Sequence, residues 1–352
     1  MALSKIDTTN MIEDVPQSKL DNNINFRNII INGDMSIAQR GTSTTGVTGG
    51  NYTVDRYRYS KNGTSPTLTV SQDTDVPSGQ GFVKSLKLEV TTVSAVASGD
   101  RGYLEQRFEG QNLQYLKKGT SSAESLTASF WVKASVTGTY ISYLIDSDNA
   151  RQIAKSYTIN SADTWEKKTI TFAGDTTGTL DNDNAVSLSL HFGLYAGSDY
   201  TSGTLATSWE ATTNANTLVG QVDTFATVNN TWQITGVQLE AGTTASDFEF
   251  LPVDVNLYRC HRYFKDIYNG NSAYFKMISA SGRFRRLNVP LNPTMRSTPT
   301  VAITAGVVGT FYSGSPKVDG TQTPNMLTLN GDVVTNTGSY SRVLTLTADA
   351  EL

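Results

Sequence analysis

The sequence has few of the side chains on which most catalytic and metal centres depend. It contains one Cys and two His among 352 residues. One Cys excludes a disulfide framework within the chain and any Cys-rich zinc site. The two histidines, His191 and His261, leave little room for a His-based metal site or a catalytic triad. We therefore expect a protein that is not an enzyme.

Charge and long apolar runs are also scarce. Charged residues make up 17% of the chain, against about 25% in an average soluble protein. The formal net charge of −4 argues against a dedicated nucleic-acid partner. No apolar run approaches the ~20 residues of a membrane-spanning helix, so we expect no membrane insertion. The sequence also lacks a P-loop and a dinucleotide-binding glycine motif.

Short segments of alternating apolar and polar residues are abundant. Leu86, Leu88 and Val90 alternate with polar residues, and the apolar positions from Leu188 to Leu194 share one face. Glycine- and asparagine-rich turns separate such segments, a pattern typical of antiparallel sheets with one solvated face. The sequence thus predicts an all-β protein in which residues 26–252 form a jelly-roll β-sandwich.

Residues 1–25 differ from this pattern. Their apolar residues follow no sustained period of 2 or 3.6, and polar residues fill the gaps. We predict an N-terminal extended arm that docks on another surface; the alternative is a terminus without a fixed partner. The docking candidates are Leu3, Ile6, Met11 and Ile12.

A short linking helix is predicted within residues 253–269. Four apolar residues follow the spacing i, i+4, i+7, i+11, which is a single helical stripe: Val253, Leu257, Cys260 and Phe264. Residues 270–352 return to strand patterns and predict a small C-terminal β domain. An Asn330-Gly331 pair in this domain predicts a hairpin turn.

The helix and the C-terminal domain together predict a parallel homotrimer. A short helix is marginal by itself, and a Thr-rich domain of about 80 residues has a thin core. Three copies meeting on one axis would bury the helical stripe, with Val253, Leu257, Cys260 and Phe264 at the interface. The alternative is a monomer or dimer whose helix packs on its own jelly roll.

Aromatic residues in polar surroundings are candidates for stacking on sugar rings. An aromatic face can bury the C–H surface of a sugar while nearby polar groups bond its hydroxyls. The glycan-binding candidates are Trp131, Tyr195, Tyr200 and Trp209. The alternative is that these rings pack locally.

Pairs of carboxylates are candidates for a glycosidase centre, because glycoside hydrolysis needs two carboxyl groups at a fixed separation. The candidate pairs are Asp146 with Asp148, Asp181 with Asp183, and Glu105 with Glu109. The two Asp pairs lie in turn-like segments, and no pattern marks any pair as buried, so no catalytic residue is assigned. No cofactor is expected; the candidates for a structural calcium site are Asp34 and Glu240.

An ordered set of motifs resembles bacteriophage tail-fibre and virion-fibre proteins that carry a carbohydrate-binding-module-like jelly roll. The motifs are NIIINGD (28–34), QRGTS (39–43), DRY (55–57), LEQRFE (104–109), LTASFWVKA (126–134), TWE (164–166), GVQLEAG (236–242), FE (248–249), RCHRYF (259–264), VPLNPTMR (289–296) and PT (299–300). The LNP at 291–293 departs from the family pattern, so the resemblance does not predict the turn at this position. The resemblance implies no catalytic residue.

The resemblance implies a protein of the virion, in a tail or capsid fibre, that attaches to the host surface through glycans. Its expected partners are other virion proteins through the arm, host surface polysaccharide and further copies of itself. Two alternatives remain from the sequence. One is a capsid decoration or tail adaptor protein with a purely structural role, and the other is a polysaccharide depolymerase.

Overall fold

The computed structural model describes residues 26–267, 273–274, 285–306, 317–318, 322–331 and 343–352. It confirms the all-β class. The strands are β1 (Ser43–Val47), β2 (Arg58–Asn62), β3 (Thr67–Asp73), β4 (Ser85–Thr92), β5 (Arg101–Glu109), β6 (Leu126–Ala134), β7 (Gly138–Asp146), β8 (Arg151–Ile159), β9 (Glu166–Phe172), β10 (Val186–Ala196), β11 (Glu210–Ala211), β12 (Thr231–Ala241), β13 (Phe264–Asp266), β14 (Ala273–Tyr274), β15 (Arg285–Pro290), β16 (Thr300–Gly306), β17 (Lys317–Val318), β18 (Met326–Gly331) and β19 (Val343–Asp349). The helices are α1 (Ser198–Thr201) and α2 (Val253–His261).

Two six-stranded antiparallel sheets form the sandwich. Sheet A has the order β1-β3-β4-β12-β6-β9, and sheet B has the order β11-β8-β7-β10-β5-β2. The predicted alternation holds: Leu86, Leu88 and Val90 are buried, as are Leu188 and Leu190. The main core lies between the sheets, where period-2 strands of both sheets place their apolar faces.

Sheet B is also covered on its outer face. The chain from α1 to residue 218 folds over β7 and β8 and forms a second apolar cluster there. This cluster comprises Ile141, Tyr143, Ala154, Tyr200, Ala206 and Leu218. Part of this sheet is therefore buried on both sides, which is why β10 reads as an almost continuous run of buried residues.

Helix α2 is shorter than the predicted linking segment 253–269 and ends at His261. The chain then turns and enters β13, whose backbone pairs with β19. The buried face of α2 carries Asn256 and Cys260. The Asn256 amide donates to Asp34 Oδ1 at 3.0 Å, and its oxygen accepts the Asn32 backbone N–H at 3.1 Å. This polar contact fixes α2 against the NIIINGD segment, so the helix packs on the sandwich.

The C-terminal strands form two small antiparallel sheets. In one, β19 pairs with β13, β14 and β16, and in the other, β18 pairs with β15 and β17. The predicted turn at Asn330-Gly331 is wrong, because both residues belong to β18 and pair with Arg286 and Arg285 of β15. Among the described residues, a small core lies between these strands, comprising Leu291, Met295, Leu327, Leu346, Ala348 and Ala350.

Residues 349–352 return to the sandwich and bind it through charges. Glu351 pairs with the fully enclosed Arg56, and Arg40 contacts both Glu351 and Asp349. The Arg56 guanidinium also stacks on the Tyr263 ring at 3.5 Å. The C-terminal strands are therefore joined to the jelly roll by a buried ionic contact in addition to the helix.

Within the described residues, no helix combines the length and apolar character needed to cross a bilayer.

Candidate functional site

A cleft of about 350 Å³ opens where the end of β5, the chain after Phe26 and helix α2 meet. It is lined by aromatic, aliphatic, amide and charged side chains together. The lining residues are Phe26, Asn28, Ile29, Ile31, Arg107, Phe108, Glu109, Asn112, Tyr115, Tyr258, Arg259, Arg262, Tyr263 and Pro293. Concave sites with apolar walls and a few convergent polar groups are the usual form of small-ligand sites.

The wall of the cleft contains a buried ion pair. Glu109, fully buried at the end of β5, accepts hydrogen bonds from Arg262 at 2.7 and 2.5 Å. Burial alone would raise the pKa of Glu109, but hydrogen bonds from Arg262 and Tyr263 outweigh it and the pKa lies below its usual range. Gln111 donates to the same carboxylate at 2.6 Å. Glu109 is therefore an ionised, fully occupied acceptor that holds Arg262 in place.

A second arginine of the cleft is held in the same way. Arg107 donates to both oxygens of Glu105, each at 2.9 Å. Glu105 is 2% exposed and also accepts the Ser60 hydroxyl at 2.6 Å. Two of the three guanidinium groups in the cleft are thus neutralised by carboxylates of β5.

Two tyrosine rings stand half-exposed at the cleft. Tyr115 is 50% exposed and Tyr258 is 49% exposed. Tyr115 lies in a 3-10 turn, Gln114–Leu116, in which the neighbouring Leu116 is buried in the core, so Tyr115 faces outward. The Tyr258 hydroxyl donates to Asn292 Oδ1 at 3.0 Å, which fixes its ring on the exposed side of α2. Both rings are held by local structure and keep apolar surface open to a ligand.

A shallower depression of about 460 Å³ shares Arg262 with the cleft. Most of its other lining residues are polar, and they comprise Gln111, Asp183, Asn184, Thr294, Met295, Arg296 and Pro324. Arg262 thus contributes to both cavities, which would suit a ligand of several linked units.

The cleft can bind by stacking and hydrogen bonding, but it offers no open acid–base pair. Its one carboxylate, Glu109, already accepts from Arg262, Gln111 and Tyr263. Glycoside hydrolysis requires one carboxylic acid that donates a proton and a second carboxylate on the other side of the bond. Among the residues lining the cleft, this pair is absent.

The predicted stacking residues do not line this cleft. Tyr195 is 1% exposed, because a bulge between Gly193 and Tyr195 turns it into the core. Tyr200 is 7% exposed and packs in the outer cluster of sheet B. Neither ring can offer a face to a sugar, so both predictions are wrong.

The two predicted tryptophans lie on different surfaces. Trp209 donates its indole N–H to the Ala173 carbonyl at 2.7 Å, and Lys118 Nζ lies 4.8 Å from its ring centre. That ring therefore already packs against a cation. Trp131 is partly exposed on β6, opposite Thr235 and Lys167. It stays a candidate on the outer face of sheet A.

The helical stripe predicted for a trimer interface is divided by the fold. Cys260 is 0% and Phe264 is 6% exposed within the single chain, because both pack against the sandwich or the C-terminal strands. These two residues cannot form an interface between copies. Val253 is 65% exposed, and Leu257 is partly exposed, so these two members of the stripe stay available.

The predicted calcium residues have separate partners. Asp34 Oδ1 accepts from Ser36 and from the Asn256 amide. Glu240 accepts from Ser246 and Gln238, and its Oε2 lies 3.6 Å from Arg27 Nε. No group of three His, Cys, Asp or Glu that could hold a metal ion occurs in the described part of the chain. The docking candidates Leu3, Ile6, Met11 and Ile12 lie outside the described residues.

Several carboxylates are buried, contrary to the sequence-based expectation. Asp146 is fully buried, and Lys118 bridges it to Asp175, which also accepts from Arg151 at 2.6 and 3.1 Å. The nearby Asp148 accepts the Asp181 backbone N–H at 2.9 Å. Asp146 and Asp175 thus each have a cationic partner, which is the arrangement that folding requires of a buried charge. Asp146 and Asp175 are therefore closed to substrate.

His191 does not form a catalytic triad. Ser189 Oγ lies 2.7 Å and Glu105 Oε2 lies 3.7 Å from the same ring nitrogen, Nε2. A triad needs the nucleophile and the acid on opposite nitrogens. The ring is 6% exposed and lies between Tyr103 and Tyr143, with centroid distances of 4.9 and 4.5 Å.

The sequence contained one usable signal for the cleft. Tyr258 lies off the apolar stripe of α2, and an aromatic residue on the wet side of a helix is a binding candidate. Tyr115 gave no such signal, because its exposure depends on the 3-10 turn.

No protein-family model matches the chain, and no curated protein matches its sequence. Solved structures of low similarity include the enzymatically active domain of tailspike protein 4 from bacteriophage CBA120, at 15% identity and a TM-score of 0.34. The match covers 61% of this chain and 21% of the tailspike domain. Carbohydrate-binding modules are also among them.

One is a family 11 module from Clostridium thermocellum, solved in complex with a β-1,3-1,4-mixed-linked tetrasaccharide. It is 12% identical, with a TM-score of 0.29, and the match covers 58% of this chain and 98% of the module. Another is the CBM22-1 xylan-binding domain from Paenibacillus barcinonensis, at 12% identity and a TM-score of 0.26, covering 58% of this chain and 99% of the domain.

Proposed function

We propose that this protein is a non-catalytic glycan-binding protein that attaches a virus particle to its host surface through the cleft. The observation that carries the glycan part is the pair of half-exposed rings, Tyr115 and Tyr258, beside the fixed guanidinium of Arg262. Exposed aromatic faces next to rigid hydrogen-bond donors match the two surfaces of a sugar, which are apolar C–H groups and hydroxyls.

The rigidity of the polar groups supports this proposal. Arg107 and Arg262 are each held by a buried glutamate, so little side-chain entropy would be lost when they bond a ligand. The cleft and the neighbouring depression, joined at Arg262, would accommodate more than one sugar unit. The absence of an open acid–base pair among the lining residues favours binding over depolymerisation.

Replacing Tyr115 and Tyr258 together by alanine is expected to weaken glycan binding roughly 30-fold, because each ring contributes on the order of 1 kcal/mol of stacking. Calorimetry with the best ligand of a glycan array measures the effect. Trp131→Ala is the matched control, since this ring lies on sheet A. Loss of binding in the control, with full binding in the double variant, would move the site to the sheet face. Release of reducing ends from a polysaccharide by the wild-type protein would contradict the non-catalytic proposal and indicate a depolymerase.

The viral part of the proposal is supported by the motif resemblance between residues 26 and 304. In this proposal, residues 1–25 dock on other virion proteins. A chain lacking them that still enters particles at the normal level would contradict that assignment.

A homotrimer is part of the same proposal, because three identical clefts would multiply a weak affinity for sugars by avidity. Val253 is the most exposed member of the helical stripe, so Val253→Asp is expected to lower the oligomer mass without unfolding the chain. Sedimentation equilibrium should give a trimer for the wild type and a smaller species for the variant. A monomeric wild type at micromolar concentration would contradict the trimer.

A further inference from the structure

The three arginines that line the cleft differ in their charge partners. Arg107 bonds both oxygens of Glu105, and Arg262 bonds both oxygens of Glu109. Arg259 forms no ion pair with any described residue. The Arg259 Nη2 donates a long hydrogen bond to the Asn28 carbonyl at 3.3 Å. One guanidinium of the cleft therefore has no carboxylate bonded to it among the described residues.

The surroundings of Arg259 explain why this charge matters. Burial lowers the pKa of Arg259, so the fold holds a cation where it is partly desolvated. Glu249 is close enough to oppose this effect, but its two oxygens accept the backbone N–H groups of Phe26 and Asn28. A desolvated cation without a bonded anion is unfavourable, and an anionic ligand would relieve that cost.

The position of Arg259 directs the charge at a ligand. It lies on α2 one residue beyond Tyr258, and both side chains line the cleft. The other N–H donors of Arg259 have no protein partner among the described residues. None of them is a buried atom without a hydrogen bond, so they are open to solvent. A guanidinium with free donors presents a planar fork that fits a carboxylate or a sulfate.

Building on the proposed function, we propose that the cleft selects anionic sugars and that Arg259 binds their acidic group. The sugar ring stacks on Tyr115 or Tyr258, while the fixed donors of Arg107 and Arg262 bond hydroxyls. The acidic group then binds the guanidinium of Arg259, which has no carboxylate partner among the described residues.

The test is an array of carboxylated oligosaccharides, each printed beside its neutral methyl ester, with sulfated oligosaccharides as a further arm. Wild-type protein should bind the acids about 10- to 100-fold more tightly than their esters, the range expected of a charge-assisted pair. Added NaCl should reduce this preference. Tighter binding of the carboxylated or of the sulfated arm identifies which anion is recognised.

Arg259→Gln should bring the ratio of the affinities for acid and ester close to one, because this ratio depends on the charge of the guanidinium. Arg259→Lys keeps the positive charge but loses the planar pair of N–H donors. This variant should therefore retain part of the preference for acids over esters. Arg101→Gln is the matched control, since Arg101 also lacks a carboxylate partner among the described residues but lies at the far end of β5, over Tyr200. Melting curves confirm that each variant is folded.

The outcomes separate this inference from the proposed function. Equal binding of acids and esters by the wild type would overturn the anion selectivity and leave glycan binding intact. An unchanged preference in Arg259→Gln would overturn the role of Arg259. Binding of no glycan of either kind would overturn the proposed function itself.

Discussion

Replacing Glu351 by alanine is expected to lower the free energy of unfolding by about 3–5 kcal/mol, the usual cost of leaving a buried charge without its partner. The stranded charge would be Arg56, which is 2% exposed, while Glu351 is 6% exposed at its side chain. Burial lowers the pKa of Arg56, but the charge of Glu351 outweighs this and keeps the guanidinium protonated. Urea unfolding followed by tryptophan fluorescence measures the loss.

Asp349→Asn is the matched control for this experiment. Asp349 lies two residues away and also contacts Arg40, but its side chain is 43% exposed, so we expect a change below about 1 kcal/mol. The double variant Arg56→Met with Glu351→Met should cost less than the two single changes added together, because no charge is then stranded. Equal losses in Glu351→Ala and Asp349→Asn would contradict the ionic contact between the C-terminal strands and the sandwich.

Lowering the pH from 7 to 4.5 is expected to remove most of a stabilising contribution of about 3 kcal/mol that comes from His191. Burial lowers the pKa of His191 to about 4, despite the nearby charge of Glu105. The unfolded chain binds this proton below about pH 6.5, whereas the folded chain resists it. The contribution is thus fully present above pH 6.5 and is lost as the pH falls toward 4.

The variant His191→Gln should show a flatter dependence of stability on pH between 6.5 and 4.5. The buried carboxylates with lowered pKa values, such as Glu109 and Asp175, begin to lose their contribution at about pH 5, near the lower end of this window, and lose most of it below about pH 4. His261→Gln is the control, because burial also lowers the pKa of His261 to about 4 but the residue is only half-buried and screened by solvent. Equal slopes for the wild type and His191→Gln would contradict the prediction.

The strand pattern of the sandwich could be predicted from the sequence because its cause is local. In a strand, side chains alternate between faces, so Leu86, Leu88 and Val90 mark a buried face wherever the strand is placed. The prediction failed where tertiary contacts override the alternation. The bulge at Gly193 and Tyr195 buries two successive side chains, Leu194 and Tyr195, that a regular strand would separate.

The helix was predicted at the right place, but its role was set by distant residues. Spacing alone gave a stripe from Val253 to Phe264. The fold ends α2 at His261, because Phe264 joins a sheet whose partner strand lies some 80 residues later. The buried face is organised by Asn256, a polar residue that a search for apolar stripes passes over.

By itself, the sequence determined the β class, the strand faces, the position of α2 and the scarcity of catalytic side chains. Only the tertiary structure decided which charges are paired and which rings are open. Glu109 and Arg262 are 153 residues apart, and Glu351 and Arg56 are 295 apart. Tyr115 lies on a turn and Tyr258 on a helix, and no sequence pattern predicts that these two elements line the same cleft. Such sites depend on long-range packing, in which the partner of a side chain is fixed by the fold and not by its neighbours in the chain.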